Sequence, residues 1–422
     1  MFWILRVFYL FLIQPLLLFL TFTFGWLFVD KIKRGINLRL SRGGQPPWKK
    51  VPKNLSPLWF HCSSGEFEYA KAVIREIKSL SKDTPILVTY FSPTYIKQIE
   101  KDENVDYVLA LPFDLPGPLS SFIQHIHPRA LYFSRTDLWP ELIFQCRRHH
   151  VPTHIFSLTC GKKLRGVQGF IKKLLLNQLD QIFAVSLEDK TNLIQSGVVP
   201  AIEVIGDTRF AQAIYRRDHF EPKKHISMGP QSTLPILIAG STWPEDEKIL
   251  LPAVLELLVE KKMRLVLAAH EPTPEHLKPI SLILQKAGID FSFFTQVNEW
   301  STSVLIVDCV GVLADLYRFA QIAFIGGSFK KSVHSVMEAL VCGLPVIVGP
   351  KHHNNREAIE FQNLKLNHDT RAVTVVTDSE LLKQAIVKLV KIESSLIHAS
   401  IKSEAEKHKF AAKQLGSIIS KL

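Results

Sequence analysis

Residues 235–247 read PILIAGSTWPEDE: an unbroken apolar run, then Gly240-Ser241-Thr242, then a proline-started acidic turn. Apolar side chains on both faces of a short run describe a strand buried on both sides of a parallel sheet. A proline at the first helical position with carboxylates behind it describes a helix N-terminus. The unit is strand, tight loop, helix. Further such apolar runs lie at Trp59–His61, Ile86–Phe91, Tyr107–Leu111, Ala130–Phe133, His154–Leu158 and Gln181–Val185, and again at Leu265–Ala269, Phe291–Phe294, Val304–Val307, Ile322–Ile325 and Pro345–Val348. Between them Glu66–Leu80, Leu138–His150, Glu245–Lys262 and Val333–Cys342 carry helical spacing. Repeated in this way, the pattern predicts doubly wound α/β domains.

The alternation weakens over 210–234, where Arg, His, Lys, Pro and Gly crowd together. It divides the chain into 31–209 and 235–422, two Rossmann-like domains facing a cleft, joined by a linker. The last thirty residues are rich in Lys, Ser and Ala with Ile and Leu interspersed, and predict one helix. The chain has 422 residues, 47% hydrophobic and 21% charged, which excludes disorder, collagen-like repeats and a disulfide scaffold. Its five cysteines, Cys62, Cys146, Cys160, Cys309 and Cys342, are scattered without metal-site spacing, as expected of reduced thiols in the cytosol.

From Val7 to Val29 no side chain is charged, enough for an N-terminal membrane anchor over residues 1–30. Bulky residues from Trp26 to Val29 stand where signal cleavage needs small ones. Arg6 alone precedes the run, whereas Lys31, Lys33, Arg34, Arg39, Arg42, Lys49 and Lys50 follow it, which places the body of the protein in the cytoplasm. A buried core helix, or a monotopic hairpin that dips in without crossing, is the alternative, because Gln14-Pro15 interrupts the run. The net charge of +12 calls for an anionic partner. Much of the excess lies beside the anchor and no aromatic-basic reader motif is present, so anionic lipid of an inner membrane suits it better than nucleic acid.

Ligands of open α/β sheets sit beyond the carboxyl ends of the strands, so the loops there hold the candidate residues. The first is His61-Cys62-Ser63-Ser64-Gly65-Glu66. Ser63, Ser64 and Gly65 let a ligand approach, and Glu66 opens a helix, suited to general base catalysis or simply to the positive helix end. Ser241 and Thr242 bring hydroxyls and a helix N-terminus to a phosphate, or form a plain cap. Gly326-Gly327-Ser328 ends another strand, followed by His334 and Glu338, which at i and i+4 would share a helix face. Gly349-Pro350 and Asn354-Asn355-Arg356-Glu357 close the nucleotide side of the cleft. No metal site is predicted.

These motifs, with Asp137-Leu138-Trp139-Pro140, Gly206-Asp207-Thr208-Arg209-Phe210 and Ala269-His270-Glu271, stand in the order seen in the Kdo transferases of lipopolysaccharide synthesis, which the chain resembles over nearly its whole length. The resemblance implies the two-domain GT-B fold and an inverting glycosyltransferase moving 3-deoxy-manno-octulosonate from CMP-Kdo to a lipid A precursor at the bacterial inner membrane. It places the catalytic base on Glu66, substrate contacts on Ser63, Ser64, Gly65, Asp137 and Arg209, and donor contacts on Ser241, Thr242, His270, Gly311, Gly326, Gly327, Ser328, His334 and Glu338. It implies no cofactor. The chain departs from many members at Ala269, Val312 and Ser335, where Arg, Glu and Asn are usual. Arg209, Lys330, Lys331 and Lys351 would supply replacement charge. The alternatives are another GT-B sugar transferase or an epimerase, and a catalytically degenerate membrane-anchored binding protein.

Overall fold

Each apolar run becomes a strand whose alternate side chains enter different cores. Trp59, Leu87, Phe133 and Ile155 lie in one cluster, while Phe60, Val88, Tyr132 and Phe156 lie in another on the opposite face. A sheet buried on both faces has no polar side to alternate with, which is why the runs are continuous. The computed structural model describes residues 2–25, 29–40, 45–219, 227–228, 233–367, 369–391 and 394–421. The expected anchor end at 26–28, Arg42 of the basic flank, and 220–226 and 229–232 of the expected linker lie outside those residues.

The chain forms two compact units, Met1–Gln212 with His408–Leu422, and Ala213–Lys407. In the first unit the strands are β1 (Leu58–His61), β2 (Ile86–Tyr90), β3 (Tyr107–Ala110), β4 (Ala130–Ser134), β5 (Thr153–Leu158), β6 (Gln181–Ala184) and β7 (Ala201–Val204). They form one sheet in the order β3-β2-β1-β4-β5-β6-β7, with every pairing parallel. In the second unit the strands are β8 (Ile236–Thr242), β9 (Arg264–Ala269), β10 (Phe291–Phe293), β11 (Val304–Ile306), β12 (Ile322–Ile325), β13 (Val346–Val348) and β14 (Val373–Val375). Their order is β10-β11-β9-β8-β12-β13-β14, again all parallel. The direction of winding reverses between β1 and β4 in one sheet, and between β8 and β12 in the other. Those two switch points are where an open α/β sheet leaves a crevice.

Several expectations are corrected. The segment 210–234 begins inside a helix, Thr208–Asp218. The last thirty residues break into Ser394–Glu406, a 3₁₀ turn at Lys407–Lys409, and Phe410–Ser420. The His408 ring stacks on Phe210 at 4.3 Å, and the final helix packs on the helix Phe67–Leu80 so closely that a Cβ at Gly416 would stand 2.7 Å from the Glu76 Cβ. The expected domain 235–422 included this last helix, whereas its packing groups it with the first unit. The expected helix Val333–Cys342 shrinks to Met337–Val341. The backbone groups upstream are taken by neighbouring loops: His334 N donates to Gly326 O, and Val333 N donates to Lys351 O.

A helix long and apolar enough to cross a membrane runs from Phe2 to Thr23. Pro15 has no N–H to return to the preceding turn, and the helix widens just before it into a π turn, in which Gln14 N donates to Tyr9 O. The helix lies against the first unit along its length. Arg6 forms a double hydrogen bond with the fully buried Glu141 at 2.7 and 2.9 Å, Trp3 meets Phe144 edge-on, Gln14 donates to Asp114 O, and Phe22 meets Phe113. Ile4, Phe8, Phe11, Leu12, Leu16 and Phe19 face outward, with Phe11 76% exposed. The helix therefore turns its few polar groups to the protein and its apolar face outward.

Candidate functional site

In the first unit the loops after β1 and β4 flank the switch point. The Glu66 carboxylate accepts the backbone N–H of Ser64 at 2.8 Å, and its carbonyl accepts the Ser134 hydroxyl at 2.7 Å. It precedes the helix Phe67–Leu80 but makes no side-chain cap. The carboxylate thus braces the Ser63-Ser64-Gly65 loop rather than the helix. Behind it a buried chain runs along the strands. Trp59 Nε1 donates to Thr89 Oγ1 at 2.8 Å, and Thr89 Oγ1 lies 3.0 Å from His61 Nδ1. With Thr89 donating to Nδ1, the His61 proton sits on Nε2, which faces Asp137 Oδ2 at 3.5 Å. Sequence reasoning placed His61 in the motif but gave it no role; the cross-strand neighbour Thr89, which orients it, lies 28 residues away in sequence.

After β4 the backbone is strained. Arg135 and Asp137 both take positive φ, 64° and 68°. Such conformations cost about 1–3 kcal/mol each and concentrate at functional sites. They set the Asp137 carboxylate against His61 and under Trp139 Nε1, which donates to it at 3.0 Å. Arg135 hydrogen-bonds the Tyr69 hydroxyl, and its guanidinium stands 5.1 Å from the Tyr69 ring. Arg209 approaches the same ring at 5.8 Å. Arg209 thus shares the Tyr69 ring with Arg135, a second cation that the sequence reading did not name. A positive φ has no sequence signature outside glycine, asparagine and aspartate, so the signal at Arg135 was absent.

In the second unit the loops after β8 and β12 flank the corresponding switch point. Gly326 and Gly327 are required by closeness: a Cβ on Gly326 would stand 2.4 Å from Ser241 O, and one on Gly327, whose φ is +92°, would stand 2.3 Å from Ser332 O. Asp246 holds the two loops together, accepting Trp243 N at 2.9 Å, Gly327 N at 2.7 Å and Phe329 N at 3.1 Å. Thr242 donates its hydroxyl to Glu247, which also meets His276. The Ser328 hydroxyl accepts Gly349 N at 2.7 Å and is buried. Thr242, Gly327 and Ser328 thus hold the site's frame through bonds within the protein.

On that frame stands a stack of rings. His270, after β9, stacks on His334 with centroids 4.3 Å apart, and Trp243 lies 4.6 Å from His270. Trp243 Nε1 donates to His334 Nε2 at 2.9 Å, so that nitrogen carries no proton. Burial, then the neighbouring His270 and Lys330, lower the pKa of His334 and keep it neutral. Lys330 Nζ lies 3.2 Å over the Trp243 ring. His334 is in a loop, not on the helix, and so does not share a helical face with Glu338. The Glu338 carboxylate accepts the Ser335 hydroxyl at 2.5 Å instead. Gly311, with φ +85°, lies exposed after β11. The rings and Lys330 form a flat aromatic surface carrying positive charge, which suits a nucleotide phosphate. Trp243 was read only as part of a helix start, and its partnership with two histidines distant in sequence is a product of the fold.

Residues 35–212 match the family model of 3-deoxy-D-manno-octulosonic-acid transferases. Among curated proteins the chain is 28% identical over 348 residues to 3-deoxy-D-manno-octulosonic acid transferase of Aquifex aeolicus, covering 80% of this chain and 88% of that one. It is 26% identical over 364 residues to the Chlamydia trachomatis (serovar A) enzyme, covering 81% and 82%. Identity to the Haemophilus influenzae enzyme is 25% over 367 residues, covering 80% of each. Among solved structures, a UDP-N-acetylglucosamine 2-epimerase superimposes with a TM-score of 0.59 at 15% identity, covering 87% of this chain and 95% of that one. The Neisseria meningitidis UDP-GlcNAc 2-epimerase bound to UDP-GlcNAc gives 0.54 at 14%, covering 86% and 99%. These structural likenesses show the GT-B-like fold.

Proposed function

From the kinship of this chain with the Kdo transferases of lipopolysaccharide synthesis, we propose that it is an inverting glycosyltransferase that moves Kdo from CMP-Kdo to a lipid A precursor. The observation that carries the reading is that the segment matching the family, 35–212, holds Glu66 at the sheet's switch point with its carboxylate oriented by Ser64. CMP is already a good leaving group. Glu66 would take the proton from an acceptor hydroxyl as the oxygen attacks the anomeric carbon of the donor. The bond from that carbon to phosphate breaks, and its electron pair leaves with CMP. One displacement inverts the configuration. Arg209 and Arg135 supply charge for the sugar carboxylate or the acceptor's phosphate. In the second unit Ser241, His270 and Lys330 are assigned to the nucleotide, while Thr242, Gly326, Gly327, Ser328 and Asp246 hold the loops in shape.

The outward apolar face of the N-terminal helix, followed by Lys31, Lys33 and Arg34, attaches the first unit to the cytoplasmic face of a bacterial inner membrane. A helix docked along its length on its own domain fits attachment in the plane of the membrane better than a crossing. The test is incubation of the full chain with CMP-Kdo and a lipid A precursor, with the product analysed by mass spectrometry. An added Kdo mass and released CMP are expected. Binding of UDP in preference to CMP, without transfer, would favour the epimerase reading that the fold also permits.

A further inference from the structure

In the first unit a cavity of about 410 Å³ opens between the N-terminal helix, the basic helix Asp30–Asn37 and the loops after β2 and β3. Its walls are chiefly apolar, with Leu17, Leu18, Ile32, Ile36, Phe113 and Trp139 among them. Taking each methylene to need the ~30 Å³ share of a liquid water, the cavity admits a chain of about fourteen carbons. One wall is the apolar helix itself, and its lining residue Leu17 is also 45% exposed, so the cavity borders the outward side of that helix. Lys31, exposed, stands on its rim. Arg39 is anchored beside it, donating to the carbonyls of Leu111, Gly35 and Phe91 at 2.7–2.8 Å. The opposite wall leads to the Glu66 loop: the Phe91 and Ser92 amides donate to Ser63 O, and the Phe91 ring packs on Trp139 at 4.8 Å.

We infer that this cavity receives an acyl chain of a phosphorylated lipid, with Lys31 at the phosphate. The geometry serves that occupant in three ways. An apolar slot walled by a membrane helix can be entered from the bilayer without passing through water. Cations at the rim match an anionic headgroup and not a neutral hydrocarbon. A chain seated there holds its headgroup on the side of Ser63 and Glu66. That the lipid is the acceptor rests on the transferase reading; that the cavity binds an acyl chain does not.

The experiment places the full chain in nanodiscs containing phosphatidic acid with a diazirine midway along one acyl chain, and maps the photolabel by mass spectrometry. Label is expected on Leu17, Leu18, Ile36 and Phe113, with about tenfold loss in Leu18→Trp, which fills the slot, while label on Phe11 and Phe19 of the outer face persists. Leu17→Trp, at a more exposed position, is the second filling variant should Leu18→Trp fail to fold. Label confined to the outer face, or unchanged on filling, overturns the inference. In the transfer assay the KM for an acylated acceptor should rise about tenfold in the filled variant, and that for a deacylated headgroup should not move. A chain that labels in the cavity yet transfers no Kdo refutes the transferase reading and leaves the cavity standing. Transfer without cavity label refutes the cavity alone.

Discussion

Replacement of Glu66 by Gln separates proton transfer from loop bracing. In the structure the carboxylate accepts one hydrogen bond, from Ser64 N, and the rest of the Glu66 connection to the sheet runs through its own carbonyl and Ser134. A glutamine amide oxygen keeps that acceptor, and the carbonyl contact is untouched, so the midpoint of thermal unfolding should move by no more than about 1 °C. Glu66→Ala removes the acceptor. The amide is half-buried and water can reach it, so the cost should be about 1 kcal/mol, or roughly 2–4 °C for a unit of this size. Neither residue can accept a proton. General base catalysis contributes about 10²–10⁴-fold, or about 3–5 kcal/mol of barrier, so single-turnover Kdo transfer should fall by that factor in both variants. CMP binding should persist in both. If Glu66→Gln retains near-normal transfer while Glu66→Ala loses both stability and transfer, the carboxylate is a brace only, and Glu68 becomes the next carboxylate to test.

Gly327→Ala forces a side chain into a positive-φ backbone against Ser332 O, so it should cost at least about 2 kcal/mol and weaken CMP binding; an unchanged unfolding midpoint would show that the loop relaxes freely. Arg6→Ala leaves Glu141 buried without its guanidinium, and calorimetry in detergent should show a loss of about 3–5 kcal/mol; a change below 1 kcal/mol would mean that the helix is not held by this pair. Burial raises the Asp114 carboxyl to about 7, opposed by hydrogen bonds from Tyr9 and from the Leu142 and Glu141 amides. Its folded value then lies above its unfolded value of about 3.9, the folded state binds the proton more tightly, and stability should fall as pH rises from about 4 to about 7 before levelling. Asp114→Asn should flatten that slope in pH-resolved unfolding, and an unchanged slope would assign it to other groups.

Much of the fold was legible because burial on both faces leaves a continuous apolar run, and every such run became a strand. Among the described residues four strands escaped, two of them the short parallel pair Ser227–Met228 and Glu299–Trp300 and the other two at sheet edges. Ala201–Val204 and Val373–Val375 are the outermost strands of their sheets, and edge strands are covered less completely. Glu203 breaks the apolar run in the first of them, and its side chain instead receives Gln181 and Gln414. Helix ends were legible where a proline or an acidic turn marked them, as at Pro244. The helix over Val333–Cys342 was misread because helical spacing describes side chains, whereas the competition there was for backbone groups. Gly326 O and Lys351 O took the amides of His334 and Val333 before an α ladder could.

The same distinction decides what was legible of the site. Small residues and glycines at strand ends are a local signal for the loops after β1, β8 and β12, and the motif order of the resemblance located the loop after β4. Neither could assign roles within them, since a role depends on which partner a group already has. Thr242 and Ser328 carry hydroxyls suited to phosphate, yet Glu247 and Gly349 engage them. Asp246 looks like one acid among three in a helix's first turn, yet it joins two loops by accepting three amides. The converse holds for Trp243, His270 and His334, far apart in sequence and brought into one stack. Burial and the neighbouring His270 and Lys330 hold the His334 pKa down, and the Trp243 Nε1 donor blocks protonation at Nε2, so Trp243→Phe removes that block while keeping the aromatic face. The pH dependence of CMP binding in that variant, absent from the parent chain, would therefore measure how far such binding depends on a neutral His334. Identical pH profiles for the two proteins would refute that dependence and leave Trp243 as a stacking platform alone.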